Sequence, residues 1–564
     1  MGQVNQLGWW IKSEDEPALG HEAVYSAIKQ VQKPIYVIDT GEKIGVAQGG
    51  VVNTSPLPGN SISQEGQFPW IAFVPPLHPG HMGSPDFMRA HGLSYPYVIG
   101  AMANGITSTK MVEAAGRAGM LGFFGAAGLA IPQIETAIQD LQSKMDGLPF
   151  GCNLIHSPGD PNLELETVRL YLRYGVRLIS ASAFMNLTLP LVYYRIKGIQ
   201  QDERGIATTP QKIIAKISRE EVAKKFLSPP PAKFIQQLLE RGWVTTREAR
   251  LAETIPMADA LTAEADSGGH TDNRPALALL PTMISLRDWA TTEYNFNTPL
   301  SIGLGGGIAT PESAAAAFAM GADYIVTGSI NQACGEAGTS NTVRQMLSEA
   351  GQADVTMAPA ADMFEMGVKV QVLKRGTMFP LRAGKLYELY MNHETYEDIP
   401  ESQRKILERD FFRRSFLEEW AHTKKFFLNR DPKQVERAET NPKHRMALVF
   451  RSYLGQSSNW ANTGEPSRKI DYQIWCGPAI GAFNQWVKGT FLESAHQRQV
   501  VVIALNILLG AAVLTRRQWL QQQGIFLSDI PTRIEPLELD AIQEQLGNPS
   551  QNNPSQNTEI EFLQ

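Results

Sequence analysis

Short apolar runs alternate with amphipathic helical stretches through the middle of the chain, beginning at Tyr97. Each run is typical of a short buried strand, and a helical pattern follows most of them. The eight predicted strands are 97–101, 121–124, 149–154, 176–181, 212–217, 258–264, 300–303 and 323–326. Alternating strands and helices favour a parallel sheet, and eight units favour its closure. The pattern therefore predicts the α/β class and a (β/α)8 TIM barrel.

The pattern changes on both sides of the barrel and once within it. Before it, β-like runs such as 34–39 are split by glycine and proline, which predicts a small β-rich region. The connection between the fifth and sixth strands is too long for a plain unit and predicts a helical insertion. After residue 359 the strand rhythm stops, and helical periodicity over 406–428 and 497–523 predicts a mainly helical region. The expected domains are 1–94, the barrel 95–358 with its insertion at 228–257, the helical region 359–540, and a polar, disordered tail 541–564.

Composition narrows the functional class. With 564 residues, of which 43% are hydrophobic and 19% charged, two or three globular domains are expected. A net charge of −6 argues against nucleic-acid binding. The three separated cysteines, Cys152, Cys334 and Cys476, match neither a disulfide framework nor a zinc pattern, so we expect no metal and a cytoplasmic location. The apolar run 500–514 is shorter than a bilayer requires and is interpreted as a buried core helix, and residues 1–10 lack the zones of a signal peptide.

Three glycine-containing segments stand at the predicted ends of strands six, seven and eight. They are ADSGGHTDNR at 265–274, GLGGG at 303–307 and TGS at 327–329. Bare backbone N–H groups at such positions bind phosphate, and barrels of this kind place their phosphate sites after strands seven and eight. The order and spacing of the three segments predict a phosphate-bearing cofactor at the C-terminal face of the barrel.

Three side chains stand out at the strand positions. Asn153 ends the third strand, where its amide is placed to bond a ligand. Lys216 is an ionisable residue in an apolar strand and needs a partner, either a ligand or the carboxylate of a neighbouring strand. His270 follows two glycines at the predicted end of the sixth strand and is the candidate catalytic residue.

Several runs resemble a known family. YVIGAMANGITSTKMVEAAGRAGMLGFFGAAG at 97–128 and ADSGGHTDNRP at 265–275 are similar to the nitronate monooxygenase and FabK-like flavin barrels. KIIAKISREEVAKKF at 212–226 and GTMFPLRAGKLYELY at 376–390 resemble the PfaD-type enoyl reductases, which act in trans with polyunsaturated fatty acid and polyketide synthases. The resemblance implies bound FMN, hydride from NADPH or NADH, and an enoyl thioester carried by an acyl carrier protein.

The resemblance also assigns roles to residues of this chain. It implies that Ala101, Met102 and Ala103 lie beneath the isoalloxazine, and it places Asn153 at the pyrimidine edge and Lys216 at the N1–C2=O edge. His270 matches the active-site histidine of the family. Asp266 is expected to hold the loop or to support its neighbours, beside Gly268 and Gly269. The residues expected to bind the FMN phosphate are Gly305, Gly306, Gly307, Gly328 and Ser329.

Two other functions share these features. A nitronate monooxygenase oxidises alkyl nitronates with O2 on the same barrel, and a non-catalytic docking subunit of a synthase would use the helical region as its surface. The long helical region favours a synthase partner, and the partner expected is the acyl carrier protein domains of that synthase. A basic cluster in this region forms either a solvated face or a docking site for these domains; it consists of Arg413-Arg414 and Lys424-Lys425. The pattern leaves a homodimer open.

Overall fold

The computed structural model describes residues 6–13, 16–54, 66–156, 161–531 and 533–547. The predicted low-complexity tail from residue 548 onward lies outside the described residues. Residues 541–546, which the composition places in that tail, belong to a helix instead, because Ile542 and Leu546 are buried.

The strands are numbered in chain order. They are β1 Gly8–Ile11, β2 Ala18–Leu19, β3 Ile35–Asp39, β4 Ile44–Ala47, β5 Val51–Asn53, β6 Gln67–Val74, β7 Tyr97–Ile99, β8 Leu121–Phe124, β9 Gly151–Ile155, β10 Leu178–Ser182, β11 Gln200–Gln201, β12 Ala207–Thr208, β13 Lys212–Ile217, β14 Ala260–Glu264, β15 Gly269–His270, β16 Ser301–Gly305, β17 Ile325–Thr327, β18 Val355–Pro359 and β19 Lys369–Leu373.

The helices are numbered in the same way. They are α1 His21–Lys29, α2 Pro85–His91, α3 Thr109–Arg117, α4 Ile131–Met145, α5 Pro161–Arg173, α6 Leu189–Ile196, α7 Glu220–Leu227, α8 Ala232–Glu240, α9 Thr246–Ala252, α10 Ala276–Tyr294, α11 Pro311–Ala319, α12 Ser329–Gln332, α13 Asn341–Ser348, α14 Phe379–Asn392, α15 Glu401–Ile406, α16 Phe416–Arg430, α17 Pro432–Thr440, α18 Pro442–Thr463, α19 Ala479–Val487, α20 Val500–Gln522 and α21 Leu539–Leu546.

The contacts divide the chain into two compact units. One contains the described residues of 1–82, 311–316 and 502–564, and the other contains 83–310 and 317–501. This division groups the last helices with the N-terminal strands. Its first limit lies after residue 82, whereas the sequence places a boundary after residue 94. The domain limits given above stay predictions.

The smaller unit is built on an antiparallel sheet with the strand order β2-β4-β3-β6-β1-β5. This confirms the β-rich N-terminal region. Arg516 of α20 is fully buried, and its guanidinium donates to the carbonyl oxygens of Ile28, Gln30 and Lys33 at 2.7, 2.8 and 2.6 Å. These bonds reach carbonyls in the last turn of α1 and in the turn that follows it. They tie the C-terminal helix to the N-terminal segment.

Helix α20 is longer than the apolar run that predicted it. The helix lies within the helical periodicity expected over 497–523, and its 23 residues are long and apolar enough to cross a membrane by length and composition. The expectation that this segment is too short for a bilayer is therefore wrong, because it counted only the apolar run 500–514. Its most apolar window is 83% buried inside the protein, as in the core helix of a globular protein.

The larger unit contains the closed parallel barrel, in the order β10-β13-β14-β16-β17-β7-β8-β9. All eight strands predicted from the sequence are present, and α8 and α9 form the predicted helical insertion. Phe87 of α2 stacks on Tyr324 with ring centroids 4.1 Å apart, and it packs with Leu121 and Leu178, the first residues of their strands. The aromatic pair therefore fills the N-terminal end of the barrel, and the C-terminal end is left for the loops.

The region after the barrel begins with a sheet that the sequence pattern does not predict. Strands β15, β19 and β18 form a three-stranded antiparallel sheet, and β19 lies beyond residue 359, where only helices were expected. Helices α14 to α18 follow, and buried residues of α14, α18 and the neighbouring segments, such as Phe364, Phe379 and Phe450, share one apolar core with Val370 and Val372 of β19. The mainly helical character of this region is confirmed, with that one sheet as the exception.

Candidate active site

The loop after β7 is held in a tight, defined conformation. The Thr107 hydroxyl donates to the carbonyl oxygen of Gly100 at 2.8 Å and accepts the N–H of Met102 at 2.9 Å. Gly125 of the next loop approaches so closely that a Cβ there would stand 1.8 Å from the Met102 oxygen. Ala101, Met102 and Ala103 are thereby fixed as a small, half-buried platform at the C-terminal end of the barrel.

Asn153 is buried in the third barrel strand, β9. Its Nδ2 donates to the carbonyl oxygen of Ser180 at 3.0 Å and to Oγ of Ser182 at 3.2 Å. Both amide hydrogens are therefore used by β10, and the side-chain oxygen is the atom left to meet a ligand N–H.

Lys216 of β13 pairs with Glu264 of the adjacent strand β14, with Nζ and Oε1 2.5 Å apart. Both side chains are mostly buried, and the hydroxyl of Ser267 also donates to Oε1 at 3.4 Å. The lysine thus has the carboxylate partner that the sequence allowed as the alternative to a ligand. The pair keeps this part of the mouth close to neutral overall.

His270 lies beyond the barrel strand rather than at its end. Strand β14 stops at Glu264, and His270 belongs to β15, where it is held opposite Val370 of β19. The expected position at the strand terminus is therefore wrong, because residues 265–268 separate the two strands and β15, with two residues, has no pattern of its own in the sequence.

An acidic partner sets the charge of His270. Its Nε2 lies 3.2 Å from Oδ1 of Asp362, and the imidazole is about one-third exposed. Burial lowers the pKa of His270, but the hydrogen bond and the charge of Asp362 outweigh it, so the pKa lies above its ordinary value. The same contact holds the pKa of Asp362 below its ordinary value against the opposing effect of burial. The histidine is thus prepared to hold a proton.

Asp266 and Gln371 fix the loop that leads to His270. Oδ1 of Asp266 accepts from Nδ2 of Asn273 at 2.7 Å and from Nε2 of Gln371 at 2.8 Å. Gln371 also donates to the carbonyl oxygen of Ser267 at 2.8 Å. Gln371 is missed by the sequence reasoning, where its only signal is a polar residue inside the apolar strand KVQVL. Asp266 therefore holds the loop, one of the two roles considered for it.

A second anchor holds the far side of the same loop. Asp272 accepts two hydrogen bonds of 2.9 Å from Arg219 and one of 2.6 Å from Ser218. The Arg219 hydrogen bonds are the largest influence and lower the pKa of Asp272 to about 2, although burial opposes them. The His270 loop is therefore attached both to the loop that follows the fifth barrel strand and to the added sheet.

The glycine segments differ in what surrounds them. Gly306 has a φ of +88°, and a Cβ there would lie 2.7 Å from the Ala265 carbonyl, so it is required for close packing of two loops. Around Gly307 and Gly328, by contrast, no atom other than those of the chain neighbours lies within 4 Å of the position a Cβ would take. Within the described residues no protein group accepts a hydrogen bond from the N–H of either glycine. The two glycines follow the adjacent strands β16 and β17 and leave their backbone donors open.

A segment of the helical region covers two of these loops. The N–H of Gly477 donates to Oγ of Ser329 at 2.9 Å. A Cβ on Gly268 would stand 2.6 Å from Cα of Cys476, so the two backbones are in direct contact. Ser329 therefore already has a protein partner for its hydroxyl. The structure brings Gly268 and Ser329 together through a segment that no local sequence pattern places there.

Comparison with known proteins decides the family. A family model described as nitronate monooxygenase matches residues 86–386, more than half of the chain. The chain belongs to the nitronate monooxygenase family. A second model, described as the fatty acid synthase subunit PfaD N-terminal domain, matches residues 10–76. The inserted helical domain of [acyl-carrier-protein] S-malonyltransferase matches residues 393–472.

Curated proteins similar to this chain include a synthase subunit and a polyketide biosynthesis protein. The chain is 46% identical over 450 residues to one of the subunits of the polyunsaturated fatty acid synthase of Thraustochytrium sp., covering 78% of this chain and 30% of that protein. It is 45% identical over 434 residues to polyketide biosynthesis protein PksE of Bacillus subtilis, covering 77% and 56%. The chain thus spans little more than half, or less, of the curated relatives it matches.

A solved structure supports the same placement. The enoyl reductase domain of MlnA, from the macrolactin biosynthesis cluster of Bacillus amyloliquefaciens, is 40% identical with a TM-score of 0.74. The match covers 78% of this nitronate monooxygenase family member and 99% of that domain.

Proposed function

We propose that the chain is an FMN-dependent enoyl reductase that reduces trans-2-enoyl thioesters on an acyl carrier protein with NADPH or NADH. The observation that carries this proposal is the match along 99% of the enoyl reductase domain of MlnA, at 40% identity. The barrel mouth gives that match a physical basis, because the residues that line it suit the finer chemistry.

The mouth has features that fit FMN. Gly307 and Gly328 leave space and backbone donors for a phosphate, and the platform at Ala101–Ala103 presents no large side chain except Met102 to a flat ring. The other residues assigned to the cofactor are Asn153, Lys216, Asp266, Gly268, Gly269, Gly305, Gly306 and Ser329. Asp266, Gly306 and Ser329 act in this proposal through the loops they hold, because each already has a close protein partner.

FMN bound there would supply hydride transfer between the nicotinamide and the substrate. The protein would supply orientation and charge. His270, held by Asp362, is placed to donate a hydrogen bond or proton to the thioester carbonyl as negative charge develops on its oxygen. In this proposal Lys216 interacts with the cofactor, and Glu264 balances the charge of the lysine.

A carrier-bound substrate is supported by the helical region. Residues 393–472 match the inserted helical domain of [acyl-carrier-protein] S-malonyltransferase. In this chain the helices of that segment lie in the same compact unit as the barrel. The basic cluster considered from the sequence is a weaker docking candidate, because three of its four charged side chains have partners within the protein. Lys424 pairs with Glu439 at 2.6 Å and Arg414 with Glu419 at 3.3 Å, and Arg413 donates to the Ser467 carbonyl.

The second candidate function is nitronate oxidation, which the description of the matching family model favours. The absorption spectrum of the purified protein, recorded anaerobically with and without NADPH, tests the proposal first. We expect a yellow protein that bleaches with NADPH and releases FMN on heat denaturation. Release of FAD, or of no flavin, would overturn the cofactor assignment, and FMN that NADPH does not bleach would favour the oxidase.

A further inference from the structure

A second histidine–carboxylate pair lies at the mouth of the barrel, and none of the roles above uses it. His156 directly follows β9, and its Nδ1 lies 3.1 Å from Oε2 of Glu164. The ring stacks on Phe184, with centroids 5.3 Å apart and planes 28° apart. The backbone N–H of His156 donates to the carbonyl oxygen of Ser182, the residue whose hydroxyl accepts from Asn153. His156 is therefore adjacent to an amide assigned to the cofactor.

The carboxylate partner is buried, and this determines what the histidine does. The Glu164 side chain is 3% exposed, and it accepts hydrogen bonds from the Thr188 hydroxyl and from His156. In the described part of the chain no lysine or arginine forms an ion pair with it. A buried carboxylate is more stable when a hydrogen-bond donor faces it, so the contact favours the His156 tautomer that carries a hydrogen on Nδ1. Nε2 is then the atom that exchanges protons, as in other carboxylate-oriented histidines.

The two histidine pairs approach the mouth from different sides. In the closed order of strands, β10 and β13 lie between β9, which His156 follows, and β14, which precedes His270. His270 uses Nε2 for Asp362, whereas His156 uses Nδ1 for Glu164. Hydride addition to an enoyl thioester places negative charge on the carbonyl oxygen and then requires one proton at the α-carbon, so two separate donors can take part.

We propose that His156 is a second acid of the site and protonates the α-carbon of the enoyl thioester; this rests on the proposed function. The hydride equivalent from NADPH or NADH forms the new C–H bond at the β-carbon while the C=C π bond breaks. The electron pair of that π bond moves to the α-carbon side and forms the second C–H bond there with the proton from Nε2–H of protonated His156. The nicotinamide is oxidised to NADP+ or NAD+, neutral His156 stays bonded to Glu164 through Nδ1–H, and solvent returns the proton.

The test compares His156→Phe with Thr188→Val in the full-length protein, with crotonyl-carrier protein as substrate in D2O. Phenylalanine keeps the stacking on Phe184 but has no acid. Thr188→Val removes the other hydrogen bond to Glu164 and the N-cap of α6, so it controls for a purely structural role. We expect His156→Phe to lower kcat by about 10²- to 10⁴-fold with KM changed by less than about threefold. We expect its product to carry α-deuterium in both configurations, while Thr188→Val keeps one configuration and most of kcat.

A second variant and a second readout guard against misfolding. The double variant His156→Phe with Glu164→Gln removes the buried charge and should show the same loss of kcat and of stereochemistry. In the apoprotein, 15N NMR of the imidazoles should find His156 protonated at Nδ1, and Glu164→Gln should abolish that preference. Wild-type rates and a single α-configuration in His156→Phe, or a His156 protonated only at Nε2, would overturn the inference. A wild-type protein that reduces no enoyl thioester would instead refute the proposed function, and the inference with it.

Discussion

A methyl group at Gly328 tests the proposed phosphate site without a clash against another loop. Apart from its chain neighbours, no atom lies within 4 Å of the position its Cβ would take. Its φ of −138° is not left-handed, but its ψ of −76° lies outside the α and β regions, so the stability of the variant is measured together with its affinity. The methyl would displace a phosphate from the N–H of residue 328. A hydrogen bond to a charged group contributes about 1.5–3 kcal/mol. Loss of one such bond converts to a rise of roughly 10- to 150-fold in the Kd for FMN.

The assay is fluorescence titration of apoprotein with FMN, with thermal unfolding of the apoprotein as the measure of stability. Gly384→Ala is the matched control, since its Cβ also meets no atom within 4 Å but lies on the exposed face of α14. Gly306→Ala is the contrasting change. Its methyl would collide with the Ala265 carbonyl, and we expect it to lower both stability and affinity. If Gly328→Ala bound FMN within about threefold of wild type, the phosphate would not be bound by this glycine.

Two further changes test the His270–Asp362 pair. His270→Ala should retain FMN but lose enoyl reduction by roughly 10²- to 10⁴-fold, measured as kcat against the exposed control His496→Ala; turnover within about threefold of wild type would give His270 a structural role. Asp362→Asn should lower the pKa of His270, because burial then acts without the opposing charge. A step that needs protonated His270 is fastest at low pH and slows as the pH rises through the pKa of His270. Because Asp362→Asn lowers that pKa, the basic limb of kcat/KM against pH should move to lower pH. A limb that stays in place or moves upward would contradict the assignment.

Asp362 also contributes to the pH dependence of stability. A histidine whose pKa is raised in the folded state stabilises the fold below its unfolded pKa of about 6.5. That contribution is lost as pH rises through the raised folded value. The opposite holds for Asp272, whose stabilising effect is present above the ordinary carboxyl pKa and lost as pH falls toward about 2. The His270–Asp362 and Arg219–Asp272 contacts are therefore both charged at pH values between the ordinary carboxyl pKa and the raised pKa of His270.

The barrel was predictable because each strand is a short apolar run buried on both faces. Runs such as Leu121–Phe124 and Lys212–Ile217 stand out against polar, helix-forming neighbours, and their predicted limits match the observed ones. The glycine segments were predictable for a related reason. A position such as Gly306, with positive φ and no room for a Cβ, admits only glycine and is visible in the sequence.

The contacts that complete the site were not predictable, because they join residues far apart in the chain. Asp362 and Gln371 reach the His270 loop from about 90 to 105 residues downstream. Gly477 reaches Ser329 across 148 residues. Strand β19 has only a five-residue alternation, too short to separate it from the helical region around it, and it becomes a strand by pairing with β15 and β18. Tertiary pairing of this kind leaves no local signal.

The most direct test of the proposed function compares its two candidate reactions on one preparation. NADPH oxidation is followed anaerobically with crotonyl- or longer enoyl-carrier protein, and O2 uptake is followed with propyl nitronate in the absence of NADPH. A carrier-bound thioester gains orientation from remote contacts on the helical region, whereas a small nitronate does not. We predict rapid NADPH oxidation in the first assay and slow O2 uptake in the second. Fast O2 uptake with nitronate, with no NADPH consumed in the presence of the enoyl-carrier protein, would contradict the proposed function.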